Sequence, residues 1–299
     1  MAKKSEEIFS LMANYGILPK IAPEDALSSA KALKAGGLKI AELAFGNDGA
    51  KTMAALEAAL PDMAILAGDV FTPEQASEAI RAGAKAIVTP GFEGANALDI
   101  PVILECSSED ELQRALDAGG IGAIKFLAEK TNLAEFAARH PKTKFIAFGD
   151  TKNDNIVSLL SEKSVIACGA EAGPSGEPAV GLVQKMLGFD LGHVVINCEN
   201  AEQAEREASR VESIFGFLKT DSGSSFSNAD ILHFTKSKSY GKNGQVAIST
   251  NFIERAVFYL KAAGRQFIEE SARFDDDGKL ASIYLDNIIS GFAFKLVRR

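Results

Sequence analysis

The stretch TPEQASEAIRAGAKAIVTPG, Thr72 to Gly91, holds one helix and one strand back to back. It opens with a capping-type threonine, a proline and a glutamate. Apolar residues then recur with a 3.6-residue period at Ala76, Ala79 and Ile80, and the helix stops at Gly83. The run AKAIVTP (84–90) that follows is apolar on successive residues, so neither of its faces is built for water. A strand buried on both faces, joined to an amphipathic helix, belongs in a parallel sheet covered by helices.

Seven more short aliphatic runs flank this unit: ILPKIA (17–22), LKIAELAF (38–45), MAILAG (63–68), IPVILEC (100–106), GAIKFLA (122–128), TKFIAFG (143–149) and SVIACG (164–169). Between them lie helical segments such as PEDALSSAKALKAGG and SSEDELQRALDAGG, most of them opened by carboxylates and closed by glycine. Eight units at roughly 20 residues each predict an α/β fold, a compact (β/α)8 TIM barrel. A doubly wound open sheet is the alternative, and no GxGxxG opens a helix to support it.

The Gly/Pro-rich EAGPSGEPAVGLVQKMLGFD (171–190) places a domain boundary near Gly188, giving a barrel over 1–187 and a second domain over 188–299. The second domain carries an internal repeat with an offset of 52 residues. Gly192 matches Gly244, His193 matches Gln245, Ile196 matches Ile248, Ala204 matches Ala256 and Phe215 matches Phe267. Each copy reads as strand, helix and three strands, and FDDDGKLASIYL supplies an Asp-Gly hairpin in the second. An α+β domain of paired βαβββ modules is expected.

Bulk properties narrow the function. The chain of 299 residues is 46% hydrophobic and 24% charged, with net charge −8 and no basic block. That argues against nucleic acid or an anionic membrane surface as partner. Its apolar runs are too short for a membrane span. The start, MAKKSEEIFSLMANYGILPK, reads as an amphipathic helix instead of a signal peptide. Cys106, Cys168 and Cys198 are odd in number and widely spaced, which fits reduced thiols in a cytoplasmic protein.

Active-site residues of such barrels lie at the C-terminal ends of the strands. By that rule Lys125 ends strand six, Glu42 lies toward the end of strand two and Asp69 ends strand three. Thr89 and Pro90 follow strand four, and Gly149 and Asp150 follow strand seven. A lysine and a glutamate at one mouth suit covalent amine catalysis, in which the amine forms an iminium and the carboxylate moves protons. The neighbours Ile124, Phe126 and Leu127 are expected to lower the lysine's pKa toward a working value. The plainer alternative is a strand-end lysine that snorkels to solvent, paired with Glu42.

The stretches KALKAGGLKIAEL, LAGDVFTPEQASEAIRAGAKAIVTPGF and AIKFLAE resemble the 2-keto-3-deoxy-6-phosphogluconate/4-hydroxy-2-oxoglutarate (KDPG/KHG) aldolase family, from about Ile17 to Gly169. The resemblance implies a class I aldolase without cofactor, a trimer in most members, with Lys125 at the Schiff-base position and Glu42 at the acid/base position. Departures from the family pattern fall where anions are held. Gly46 stands for an arginine, Asp69 for a threonine, Asp150 for a phosphate-loop glycine and Ala170 for a serine, and Leu127 sits in a motif that has lost its proline. An eroded carboxylate- and phosphate-binding shell follows, suited to an unphosphorylated 2-oxo acid. A catalytically inactive paralogue that binds a small metabolite is the alternative.

The second domain resembles the vicinal oxygen chelate (glyoxalase-like) superfamily. That resemblance makes His193, His233 and Gln245 candidate metal ligands, while the fourth position is Lys295, which cannot ligate when protonated. A metal-free structural module is therefore the expectation, and a metal-dependent enzyme sited here is the remaining alternative.

Overall fold

The structure, a computed structural model, describes residues 2–119, 121–127, 133–149 and 155–299. The chain divides into two compact units, Met1–Met186 and Leu187–Arg299.

In the first unit, eight parallel strands close on themselves: β1 (Ile17–Ile21), β2 (Ile40–Ala44), β3 (Ala64–Gly68), β4 (Ile87–Thr89), β5 (Val102–Cys106), β6 (Ala123–Leu127), β7 (Phe145–Phe148) and β8 (Val165–Glu171). Closure is the pairing of β1 with both β2 and β8, in registers Lys20↔Glu42 and Ile17↔Cys168. Helix α1 (Ala2–Tyr15) precedes the ring. The crossovers carry α2 (Ala26–Ala35), α3 (Gly49–Ala59), α4 (Pro73–Arg81), α5 (Glu109–Ala118), α6 (Leu133–Arg139) and α7 (Ile156–Ser161), and α8 (Glu177–Leu187) follows β8.

The helix starts are chemically explicit. Thr72 caps α4 by accepting from the Gln75 N–H at 3.2 Å, and the Gln75 side chain accepts from Phe71 N–H at 2.8 Å. Ser108 does the same for α5 at Glu111. The fourth crossover departs from the expected repeat: between β4 and β5 it holds a single 3₁₀ turn, Ala95–Ala97, in place of an α-helix. Its sequence EGANALD has no apolar stripe to lay on the sheet, so nothing would hold a helix there.

Ile40, Ala41, Leu43, Leu66, Val88, Phe126 and Phe145 are at 0% exposure and build the core of the ring. Each large aliphatic side chain among them contributes roughly 1.5–3 kcal/mol. Against that background, Glu42 at 1% and Lys125 at 4% exposure are the anomaly of the barrel.

The second unit is one eight-stranded mixed sheet. The first module contributes β9 (Asp190–Asn197), α9 (Ala201–Phe215), β10 (Lys219–Asp221), β11 (Ser225–Asn228) and β12 (Leu232–Thr235). The second contributes β13 (Gly244–Thr250), α10 (Ile253–Ala262), β14 (Phe267–Phe274), β15 (Leu280–Ile289) and β16 (Phe292–Arg298). The order is β10-β11-β12-β9-β13-β16-β15-β14, so the two βαβββ modules meet at the antiparallel β9–β13 pair. The repeat is visible in packing, since Ala204 of α9 and Ala256 of α10 are both fully buried. Cys198, Ala208, Phe226 and Phe234 complete the cluster around Ala204. Gly278, at φ +75°, turns the β14–β15 hairpin.

Candidate active site

Five charged side chains meet at the mouth of the barrel. Lys125 stands in the middle of β6 and Glu42 in the middle of β2, on opposite sides of the ring. The lysine Nζ donates to Glu42 Oε1 at 2.9 Å and Oε2 at 3.0 Å, which spans the lumen. Lys125 stands two residues before the end of β6, which corrects the expectation that it ends the strand, and Glu42 stands at the same depth in β2. Glu105 of β5 adds a second carboxylate to the same ammonium, 3.2 Å from Nζ. Lys20 of β1 lies 3.9 Å from Glu42 Oε1 and donates to Asp69 Oδ1 at 2.9 Å.

Local backbone explains why these groups fit. Gly68 ends β3 beside Glu42, and a Cβ there would come within 2.5 Å of Glu42 Oε1, so only glycine leaves the carboxylate its place. Asp69 follows at φ +55°, a left-handed conformation that aspartate tolerates better than most residues. That turn carries its carboxylate to Lys20. Phe148, closing β7, lies under the lysine with its ring centre 4.9 Å from Nζ.

Burial of an ion pair is not explained by stability. Removing two charges from water costs about what their attraction returns, whereas deleting one partner costs about 3–5 kcal/mol because the other is stranded. A fully buried pair at the heart of a barrel with an apolar core therefore calls for a chemical reason.

The proton affinities are set by this company. Burial pushes the Glu42 carboxyl up, and the attraction of Lys125 and Lys20 only moderates the rise. Burial pulls the Lys125 amine down, but the carboxylates of Glu42 and Glu105 together push it up further, and the net direction is up. This corrects the expectation of a lowered pKa. The residues adjacent in sequence are apolar, while the residues adjacent in space are carboxylates. What the arrangement can do is exchange a proton over a 2.9 Å bond between an amine and a carboxyl that both hold protons more tightly than usual.

The other residues singled out by sequence spread out. Thr89 is buried and its hydroxyl accepts from the Gly91 N–H at 2.9 Å, so it shapes the loop after β4. Pro90 and Gly149 are exposed at the rim, and Gly149 has φ +94°. Gly46 is exposed at φ +47° with only Pro23 Cγ near a built Cβ, at 3.9 Å. Asp150 lies outside the described residues. Lys20, Glu105 and Phe148 were missed, although ILPKI and VILEC each show a lone charge inside an apolar strand, the same pattern as AIKFL. Glu42, Asp69 and Glu105 bring carboxylate oxygens within 4.8 Å of one another, but the ammoniums of Lys20 and Lys125 are interleaved with them, which disfavours a metal ion.

In the second unit His193 and His233 do come together, with ring centres 4.8 Å apart. Gln245 is buried, accepts from the Tyr284 hydroxyl and donates to Ser239 Oγ at 2.6 Å. The fourth position brings the positive charge of Lys295 to bear on His193. An ammonium in the place of a carboxylate does not suit a divalent cation.

A model of the KDPG and KHG aldolase family matches residues 10–175. The 2-dehydro-3-deoxy-phosphogluconate aldolase of Treponema pallidum is 31% identical over 176 residues, which covers 54% of this chain and 83% of that protein. The KHG/KDPG aldolase of Escherichia coli K12 is 29% identical over 157 residues, covering 49% of this chain and 73% of that protein. A solved structure of a 4-hydroxy-2-oxoglutarate/2-dehydro-3-deoxyphosphogluconate aldolase from TTHB1 covers 59% of this chain and 95% of its own. At 24% identity and a TM-score of 0.50 it shares the fold.

Proposed function

The chain belongs to the KDPG and KHG aldolase family, and from that premise we propose that its barrel is a Schiff-base aldolase for an unphosphorylated 2-oxo acid. Lys125 is the nucleophile and Glu42 the proton shuttle. The observation that carries this reading is the buried amine–carboxylate bond across the lumen.

In the resting site the ammonium proton is shared toward Glu42. Its transfer to the carboxylate frees the amine, which attacks the substrate C2 carbonyl to give a carbinolamine. Protonated Glu42 returns the proton to the carbinolamine oxygen, water leaves, and an iminium remains. Cleavage of the C3–C4 bond sends its electrons into the iminium, giving an enamine and, as the C4 hydroxyl loses its proton to a carboxylate, an aldehyde. Protonation at C3 and hydrolysis by water release the 2-oxo acid and restore the amine. Each proton transfer by a positioned carboxyl contributes about 10²–10⁴-fold.

Lys20 supports the substrate class. Its ammonium lies against the same Glu42 oxygen as Lys125, at 3.9 and 2.9 Å, so a carboxylate attached to the reacting carbon falls within its reach. Asp69 takes one of its three N–H donors and orients the rest. Three carboxylates and two ammoniums at the mouth accept one further negative charge more readily than a phosphate's two. Exposed Gly46 offers no second cation.

Borohydride reduction in the presence of pyruvate is expected to fix a covalent adduct on Lys125, and Lys125→Ala to abolish it. No adduct with pyruvate or any of several other 2-oxo acids would remove the assignment. The clamp of two carboxylates on Lys125 favours a second reading, a barrel that binds a metabolite without turnover. That reading requires ligand stabilisation that Lys125→Ala leaves unchanged.

A further inference from the structure

The second unit holds a lysine of the opposite kind. On its sheet, cross-strand partners form two rows on one face. One row is His193–Ala247–Lys295–Tyr284 and the next is Ser227–His233–Val195–Gln245–Ala293. Residues alternate between faces along a strand, so Phe226, Phe234 and Leu296 point the other way; Phe226 and Phe234 pack against α9. The face with the two rows thus gathers two imidazoles, a buried amide, a phenol and an ammonium above the fully buried methyl of Ala247.

Lys295 is partly buried, and among the described residues no carboxylate pairs with it. Its Nζ lies over the Tyr284 ring, 5.9 Å from the centre. Burial alone pulls its pKa down. Its charge, that of His233 and above all burial hold His193 down at about 4, so His193 is neutral near pH 7. The remaining donors are fixed by neighbours: Gln245 is locked between Tyr284 and Ser239, and Tyr240 stacks on Tyr284 at 4.3 Å.

A half-buried cation with no carboxylate partner among the described residues, beside an imidazole N–H, is half of an ion pair. We infer that this face is a second binding site, for a small carboxylate with an oxygen on the adjacent carbon (a 2-oxo or 2-hydroxy acid). Lys295 takes the carboxylate, and the His193 imidazole, with one N–H when neutral, takes the neighbouring oxygen, while the His233 Nε2 N–H donates to the Asp230 carbonyl at 3.3 Å and its ring flanks His193. Two neighbouring acceptors match a cation with one N–H donor beside it, and an isolated oxyanion leaves the His193 ring without a partner. The inference is independent of chemistry in the barrel.

Isothermal titration of the full chain with lactate tests it, because lactate has no carbonyl to react with Lys125. One equivalent is expected to bind, in wild type and in Lys125→Ala alike. Lys295→Met is expected to weaken binding at least about tenfold and Lys295→Arg to hold it within about threefold. Lys295→Gln, judged by the same criterion, serves if the methionine variant misfolds. The inference falls if Lys295→Met binds lactate as tightly as wild type, if wild type binds none up to about 10 mM, or if acetate or inorganic phosphate binds as well as lactate.

Discussion

Lys125 and Lys295 are both withdrawn from water on a central strand, and their proton affinities move in opposite directions. Burial acts on both in the same sense, downward. The difference is company: two carboxylates lie within 3.2 Å of Lys125, and among the described residues none pairs with Lys295. A buried lysine's chemistry is thus decided by what the fold brings across from other strands, and the two units of this chain make opposite choices. One forms a neutralised pair suited to passing a proton, the other an unanswered charge suited to holding an anion.

The largest test of that contrast is Lys125→Ala, expected to cut retro-aldol turnover by more than about a thousandfold in a coupled assay of pyruvate release. The matching change at Lys295 is expected to leave turnover within about twofold, since it lies in the other unit. Equal losses at the two positions would break the comparison. Next comes Glu42→Gln, expected to cost about 10²–10⁴-fold in kcat with little change in KM, since the amide keeps the volume but moves no proton.

Glu105→Gln sharpens the comparison without destroying the pair. Glu105 helps push the lysine's pKa up, so its loss lets that pKa fall. The neutral amine is then reached at lower pH, and the alkaline-rising limb of the kcat profile is expected to shift toward acid. A shift toward alkali would show that Glu105 does not act through the amine.

The smallest effect belongs to the second unit. His193 takes its proton at about 4 when folded and near 6.5 ordinarily, chiefly through burial and also through Lys295 and His233. A base whose folded pKa lies below its unfolded one loses stability as pH falls through that window. The melting temperature of this unit is therefore expected to drop between about pH 6.5 and 4. Lys295→Met, which removes one repelling charge, is expected to shrink that drop and raise the melting temperature at pH 7 by a few degrees.

Much of this was written in the chain. Short runs apolar on both faces announced every barrel strand, and the 52-residue repeat announced the paired modules, because burial and periodicity are local properties. The missing helix of the fourth crossover was legible in hindsight from EGANALD, which has nothing to bury. Lys125 and Glu42 stand out as charges near the ends of predicted barrel strands, and the family motifs give them their roles. Lys20 and Glu105 were missed, because a lone charge in an apolar strand faces the lumen or the helices according to the register of the closed ring, and no single strand encodes that register. The direction of the lysine's shift was misread for the same reason: AIKFL shows its flanks and hides what stands opposite.

Gly68 gives that register its sharpest edge. Because a methyl group there would strike Glu42 Oε1, the carboxylate rests on bare backbone, and the strand beside it sets its reach toward the amine by having nothing to place in the way. A position that touches no substrate and carries no functional group thereby fixes the angle at which the acid meets its base. Alanine at 68 would tilt the carboxylate and lengthen the proton's path while leaving every reacting group present.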